Sequence, residues 1–122
     1  MDIIKTYYDD NITVKEVYHL VNGLKQGHYK GYYKSGALKK LGYYIDDKLD
    51  GKYEEYFHNG KTYFIENFKN GIQIGEYLKY YNTGQLKISS YYENDKLNGK
   101  YESYHMNGDI NIICHYKDNN II

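Results

Sequence analysis

Apolar and polar positions alternate along most of the chain, and glycine interrupts the alternation every 9 to 15 residues. β-Branched and aromatic residues dominate these short runs, and helix-capping signals are missing. The pattern therefore predicts strands rather than helices.

The pattern also repeats. Gly27, Gly51, Gly75 and Gly99 stand 24 residues apart, as do Gly36, Gly60, Gly84 and Gly108. Tyr29, Tyr53, Tyr77 and Tyr101 keep the same interval, and so do Tyr32, Tyr56, Tyr80 and Tyr104. Two further series run Tyr33, Phe57, Tyr81, His105 and Tyr44, Phe68, Tyr92, Tyr116. A fixed period of this length marks stacked supersecondary units. Each unit reads as a β-hairpin around Ser35-Gly36, Asn59-Gly60, Thr83-Gly84 or Asn107-Gly108, with both turn residues expected at positive φ. Longer connections such as DDKLDG and NDKLNG lead into the next hairpin.

The expected architecture is all-β: an elongated, single-layer antiparallel meander of tandem hairpins with a 24-residue period. One domain spans residues 1–122, with units near 23–46, 47–70, 71–94 and 95–118 and a partial cap over 1–22. A two-residue loop at Ser35-Gly36 pairs Lys34 with Ala37, Tyr33 with Leu38, Tyr29 with Gly42 and Gly27 with Tyr44. The same rule sets Gly51 against Phe68, Gly75 against Tyr92 and Gly99 against Tyr116, as if each ring covered a bare strand glycine. Alternate side chains then place Tyr29, Tyr33, Leu38 and Tyr44 on the more apolar face. His28, Lys30, Tyr32, Lys39 and Tyr43 fall on the other. Each tyrosine series should form a ladder along the sheet.

Composition sharpens this picture. Nineteen of 122 residues are Tyr, against three Phe and no Trp or Pro, which suits a thin structure wet on one side. Sixteen basic and sixteen acidic residues cancel, and no arginine is present, which disfavours nucleic acid as partner. Locally, Lys25, Lys30, Lys34, Lys39 and Lys40 form an acid-free stretch, a candidate anion or lipid patch. The single Cys114 excludes an internal disulfide and fits a reducing, cytoplasmic setting. No apolar run is long enough to form a transmembrane segment.

The sequence offers little chemistry. His19, His28, His58, His105, His115 and Cys114 show no metal-ligand spacing, so neither metal nor cofactor is expected. Ser89, Ser90 and Ser103 have no base beside them, and the Asp46-Asp47-Asp50 and Glu54-Glu55 clusters read as turn and surface residues. No enzymatic constellation emerges.

GKYEEYFHNGK, GEYLKYYNTGQL and GKYESYHMNGD, within residues 18–118, resemble MORN repeats. They most resemble the variant form common in bacterial and viral proteins, sometimes labelled antitoxin-like. The resemblance implies a sheet of successive hairpins used as a scaffold for protein binding, dimerisation or lipid contact. A single sheet also leaves its apolar face without a cover. Protein interaction or self-association through Tyr29, Tyr33, Tyr53, Phe57, Tyr77, Tyr81 and Tyr101 is therefore the expected role. Membrane-surface binding through the lysine patch is the alternative.

Overall fold

A computed structural model describes residues 1–122 and contains only strands and turns. The long strands are β1 (Asp2–Tyr7), β2 (Val14–Val21), β4 (Gly27–Tyr32), β5 (Leu38–Ile45), β7 (Gly51–Tyr56), β8 (Thr62–Lys69), β10 (Gly75–Tyr80), β11 (Leu86–Glu93), β13 (Gly99–Tyr104) and β14 (Ile110–Lys117). Two-residue strands β3 (Leu24–Lys25), β6 (Lys48–Leu49), β9 (Ile72–Gln73), β12 (Lys96–Leu97) and β15 (Asn120–Ile121) lie between or after them. All join one open antiparallel sheet ordered β1-β2-β4-β5-β7-β8-β10-β11-β13-β14-β15. Residues 1–22 form a hairpin of their own, β1 against β2.

The register expected away from the turns is present: Gly27 faces Tyr44, Tyr29 faces Gly42, Gly51 faces Phe68, Gly75 faces Tyr92 and Gly99 faces Tyr116. Near the turns it differs. Tyr33 N donates to Ala37 O at 2.8 Å and Gly36 N to Tyr33 O at 2.9 Å, so Lys34, Ser35 and Gly36 form a three-residue loop. Only Gly36 is left-handed, at φ 91°. This is a tight turn followed by a glycine bulge. A second bulge then shifts the register between Gly31 and Tyr32, leaving Tyr32 opposite Leu38 and Gly31 opposite Lys40. The two one-residue shifts cancel, which restores the expected pairing further down the strands.

The bulge redistributes side chains. Leu38, Thr62, Leu86 and Ile110 pair with Tyr32, Tyr56, Tyr80 and Tyr104, so Leu38 and its repeat counterparts lie off the Tyr29 face to which alternation assigned Leu38. Lys39 moves the other way, with its Nζ 5.4 Å from the centre of the Tyr33 ring.

The turns with two left-handed residues lie elsewhere, at Asn22-Gly23, Asp46-Asp47, Asn70-Gly71, Asn94-Asp95 and Asp118-Asn119. These are the two-residue hairpins that match strand twist, and they return the chain into β3, β6, β9, β12 and β15. The supposed longer connections are therefore second hairpins. They also clamp neighbouring units. Asp95 N donates to Gln73 O at 3.0 Å while Gln73 N donates to the Asp95 carboxylate at 2.7 Å. Asp47 does the same with Lys25, and Asn119 with Leu97.

The cross-strand rings Tyr44, Phe68, Tyr92 and Tyr116 do not cover the repeated strand glycines; the one ring near any of them is Tyr91, whose Cδ2 stands 3.8 Å from the Gly99 Cβ position. A Cβ at Gly27 or Gly51 would meet nothing within 4 Å, and both residues have positive φ, 85° and 96°. Glycine is needed there for backbone conformation. A ring does lie over Gly42, where Tyr53 Cδ1 stands 3.0 Å from the Cβ position.

Five residues are buried: Tyr29, Gly31, Gly42, Ser90 and Ser103. Register places all five on the Tyr29 face. The sheet thus makes its core in one layer, with rings leaning over small floor residues.

Candidate interaction face

The Tyr29 face is built from rings in neighbouring strands. Tyr29 meets Tyr44 edge-on at 5.8 Å, Tyr77 meets Tyr92 at 6.0 Å and Tyr101 meets Tyr116 at 5.6 Å. Phe64 bridges Tyr53 and Tyr77 at 6.1 and 6.3 Å. Members of one tyrosine series do not touch each other, because two strand spacings separate them. Contact runs instead to Tyr44, Tyr92 and Tyr116 within a unit and through Phe64 between Tyr53 and Tyr77, so the expected direct ladders are replaced by mixed aromatic clusters. Such pairs contribute about 0.5–1.5 kcal/mol each beyond area burial.

The seven residues expected to form the interaction surface, Tyr29, Tyr33, Tyr53, Phe57, Tyr77, Tyr81 and Tyr101, all lie on this face. Tyr29 is buried and the other six are half-buried. The first-turn aromatics also tie units together: Tyr8, Tyr33 and Tyr81 hydroxyls donate to the carbonyls of Tyr32, Tyr56 and Tyr104 at 2.5, 2.5 and 2.7 Å. Phe57 has no hydroxyl to do this. His58 stacks on Tyr33 at 3.7 Å.

Phenols and carboxylates perturb one another across the face. Burial raises the Tyr53 and Tyr29 hydroxyls far above the ordinary phenol range, helped by bonds to Glu55 and Glu16. Burial, with Glu66 nearby, pushes Tyr77 up to about 12. Glu66 is raised by burial and then by the charge of Glu55. On the opposite face, the triplets Lys52–Glu54–Tyr56 and Lys100–Glu102–Tyr104 run along single strands. Their ion pairs are 2.8 and 2.7 Å long, and each tyrosine hydroxyl donates to the glutamate.

The five lysines of the candidate patch do not converge. Lys30 is exposed on the opposite face, beside His28 and Tyr43. Lys34 pairs with Asp9 at 3.1 Å. Lys25 Nζ sits 5.0, 5.7 and 5.1 Å from the ring centres of Tyr18, Tyr29 and Tyr44. Lys39 and Lys40 remain, and they share a 270 Å³ cleft with Lys15, a residue outside the sequence-derived patch. Gly31 lies in the same cleft. Lys15 is brought there because β2 neighbours β4, a pairing that a scan for local charge runs does not register.

No helix is long and apolar enough to cross a membrane. No group of three or more His, Cys, Asp or Glu side chains stands where it could hold a metal ion.

No curated protein matches the chain at a significant level. A family model described as MORN repeat variant matches residues 25–46, 49–70, 73–94 and 97–118, one copy per hairpin unit. MORN repeats are a non-catalytic repeat type generally associated with protein or membrane-lipid interactions. With four tandem matches covering most of its length and the hairpin sheet they describe, the chain belongs to the MORN repeat variant family.

Proposed function

We propose that this protein is a non-catalytic scaffold that binds a protein partner, a second copy of itself in the simplest case, through the Tyr29 face. The observation that carries this reading is the aromatic clustering itself. Half-buried rings recur in every unit on one side of a one-layer sheet, and no second layer lies over them. Aromatic side chains offer large contact area at low entropic cost, which is why they concentrate at the centres of interfaces. Light scattering coupled to size exclusion tests the self-associating form. A mass that rises towards the dimer with concentration supports it, and a clean monomer at high concentration removes it. Identifying proteins that co-purify with the native chain tests the wider form.

A second reading is favoured by the cleft between Lys15, Lys39 and Lys40. None of the three has a carboxylate within ion-pair distance, and Glu16 beside them is engaged by Tyr29 and Thr6. An anionic lipid headgroup would satisfy them at a membrane surface. Co-sedimentation with anionic liposomes at low and physiological salt decides this reading, and absence of binding at low salt ends it.

A further inference from the structure

The period gives each unit a box on the Tyr29 face. Two aromatic residues form its walls, meeting edge-on in the first, third and fourth boxes, the strand-β3-type residue fills it, and the residue beside the first tyrosine on the preceding long strand forms its remaining wall. In the first box the rings are Tyr29 and Tyr44, Tyr18 is the third wall, and the Lys25 ammonium is the filling, within 5.0–5.7 Å of all three rings. In the second, the Tyr53 ring stands over Gly42, Phe68 holds the repeat position of Tyr44, and Leu49 fills the space, its Cδ2 3.4 Å from the Gly42 Cβ position. In the fourth, Tyr101 and Tyr116 are accompanied by Ser90 and Leu97.

The third box departs from the others. Its rings, Tyr77 and Tyr92, keep the geometry of the first pair: 6.0 Å and 72° against 5.8 Å and 69°. Where the first box has Tyr18, two periods earlier, this one has the carboxylate of Glu66. Where the first has Lys25, this one has Gln73, whose side-chain amide makes no hydrogen bond. Glu66 faces Tyr53 across β7–β8, and the pairing of Ile65 with Leu78 sets it beside Tyr77. The carboxylate is half-buried, with neither an ion pair nor a hydrogen bond. An anion has been added and the internal cation removed within the same frame of rings.

We propose that Glu66, Tyr77 and Tyr92 form a site for an aliphatic ammonium, the side chain of a lysine presented by a protein partner. The ring faces supply the negative side of their quadrupoles, and the carboxylate supplies the counter-charge at the box wall. Lys25 shows within the same chain how an ammonium sits in such a frame. Burial and the neighbouring Glu55 make an unpaired Glu66 costly to ionise, and an ammonium beside it would relieve that cost. Lysine is favoured over arginine because the box that the chain fills itself takes an ammonium. This inference rests on the reading of the face as a protein-binding surface and names the chemistry of its partner.

The test is an NMR titration of the intact chain with N-acetyl-lysine N-methylamide, with N-acetyl-norleucine N-methylamide as the uncharged control, each to about 50 mM, since an isolated contact binds in the millimolar range. The expected result is a saturable shift of the Tyr77 and Tyr92 ring signals with the lysine probe only, weakened about tenfold in Glu66→Gln. Gln73→Lys should fill the box as Lys25 fills the first, abolishing the titration while raising the melting temperature. Equal responses to both probes, undiminished binding in Glu66→Gln, or wild-type binding in Gln73→Lys would each overturn the proposal. A single amino-acid probe needs neither partner nor self-association. Failure here is therefore separable from failure of the scaffold reading, which light scattering judges on its own.

Discussion

Replacing Phe57 by Tyr should stabilise the fold by completing a series of hydrogen bonds that the chain makes everywhere else it has the hydroxyl. Tyr8, Tyr33 and Tyr81 each donate to a carbonyl of the next hairpin at 2.5–2.7 Å. Phe57 occupies the repeat position of Tyr33 and Tyr81, its ring 4.6 Å from Tyr63, and the carbonyl in its reach by periodicity is that of Tyr80. The added oxygen needs no new cavity, because the 24-residue frame already admits it in the flanking units. A net intramolecular hydrogen bond contributes about 0.5–1.5 kcal/mol. An unfolding entropy of about 2.1 cal/mol/K per residue, over 122 residues, converts this to an increase in Tm of about 2–6 °C. Tyr81→Phe should lower Tm by a similar amount. Thermal melts followed by circular dichroism read both. An unchanged Phe57→Tyr together with a neutral Tyr81→Phe would refute the idea that these hydroxyls tie the units together.

Glu66→Gln should raise stability at neutral pH. The folded carboxyl pKa lies above its unfolded value, so the folded state binds the proton more tightly and stability falls as pH rises through that interval. Melts at pH 7 should favour the variant, and the difference should vanish below the ordinary carboxylate range. Asp95→Ala removes the acceptor for Gln73 N, and denaturant titration should show a loss of about 1 kcal/mol. Gly71→Asn should gain a bond to Leu49 N, since Asn119 already makes the equivalent bond to Leu97 N at a φ of 70°, against 80° for Gly71. An NMR pH titration should find the Asp10 carboxyl near 2, held down first by the Thr13 hydroxyl and then by the Ile12 and Thr13 amides. An Asp10 midpoint in the ordinary carboxylate range would contradict the described loop.

Glycine and tyrosine spacing made the hairpin sheet and its long-range register legible in the sequence. The local turn was not, because Ser35-Gly36 and Asn59-Gly60 carry the letters of a two-residue turn while the backbone uses three residues and a compensating bulge. Asn22-Gly23 and Asn70-Gly71 were the better signals, and they mark the turns with two left-handed residues. The bulge explains why strict alternation sent Leu38 and Lys39 to the wrong faces. Long-range placement of charge was also hidden. Lys15 joins Lys39 and Lys40 only through the β2–β4 pairing, and Lys25 is withdrawn from the patch by three rings. The aromatic character of the candidate face could be read from the period. Its mutual burial could not, because it depends on contacts between hairpins, as where the Tyr53 ring lies over Gly42 of the preceding unit.

The central claim is that the Tyr29 face is the working surface. Its most direct test is side-chain NMR across a dilution series, repeated with any partner that co-purifies. Signals of Tyr53, Phe57, Phe64 and Tyr77 should move on association, while Ile65, Leu78 and Leu86 on the opposite side stay fixed. Association that moves Ile65, Leu78 and Leu86 and leaves the rings unchanged would contradict the account.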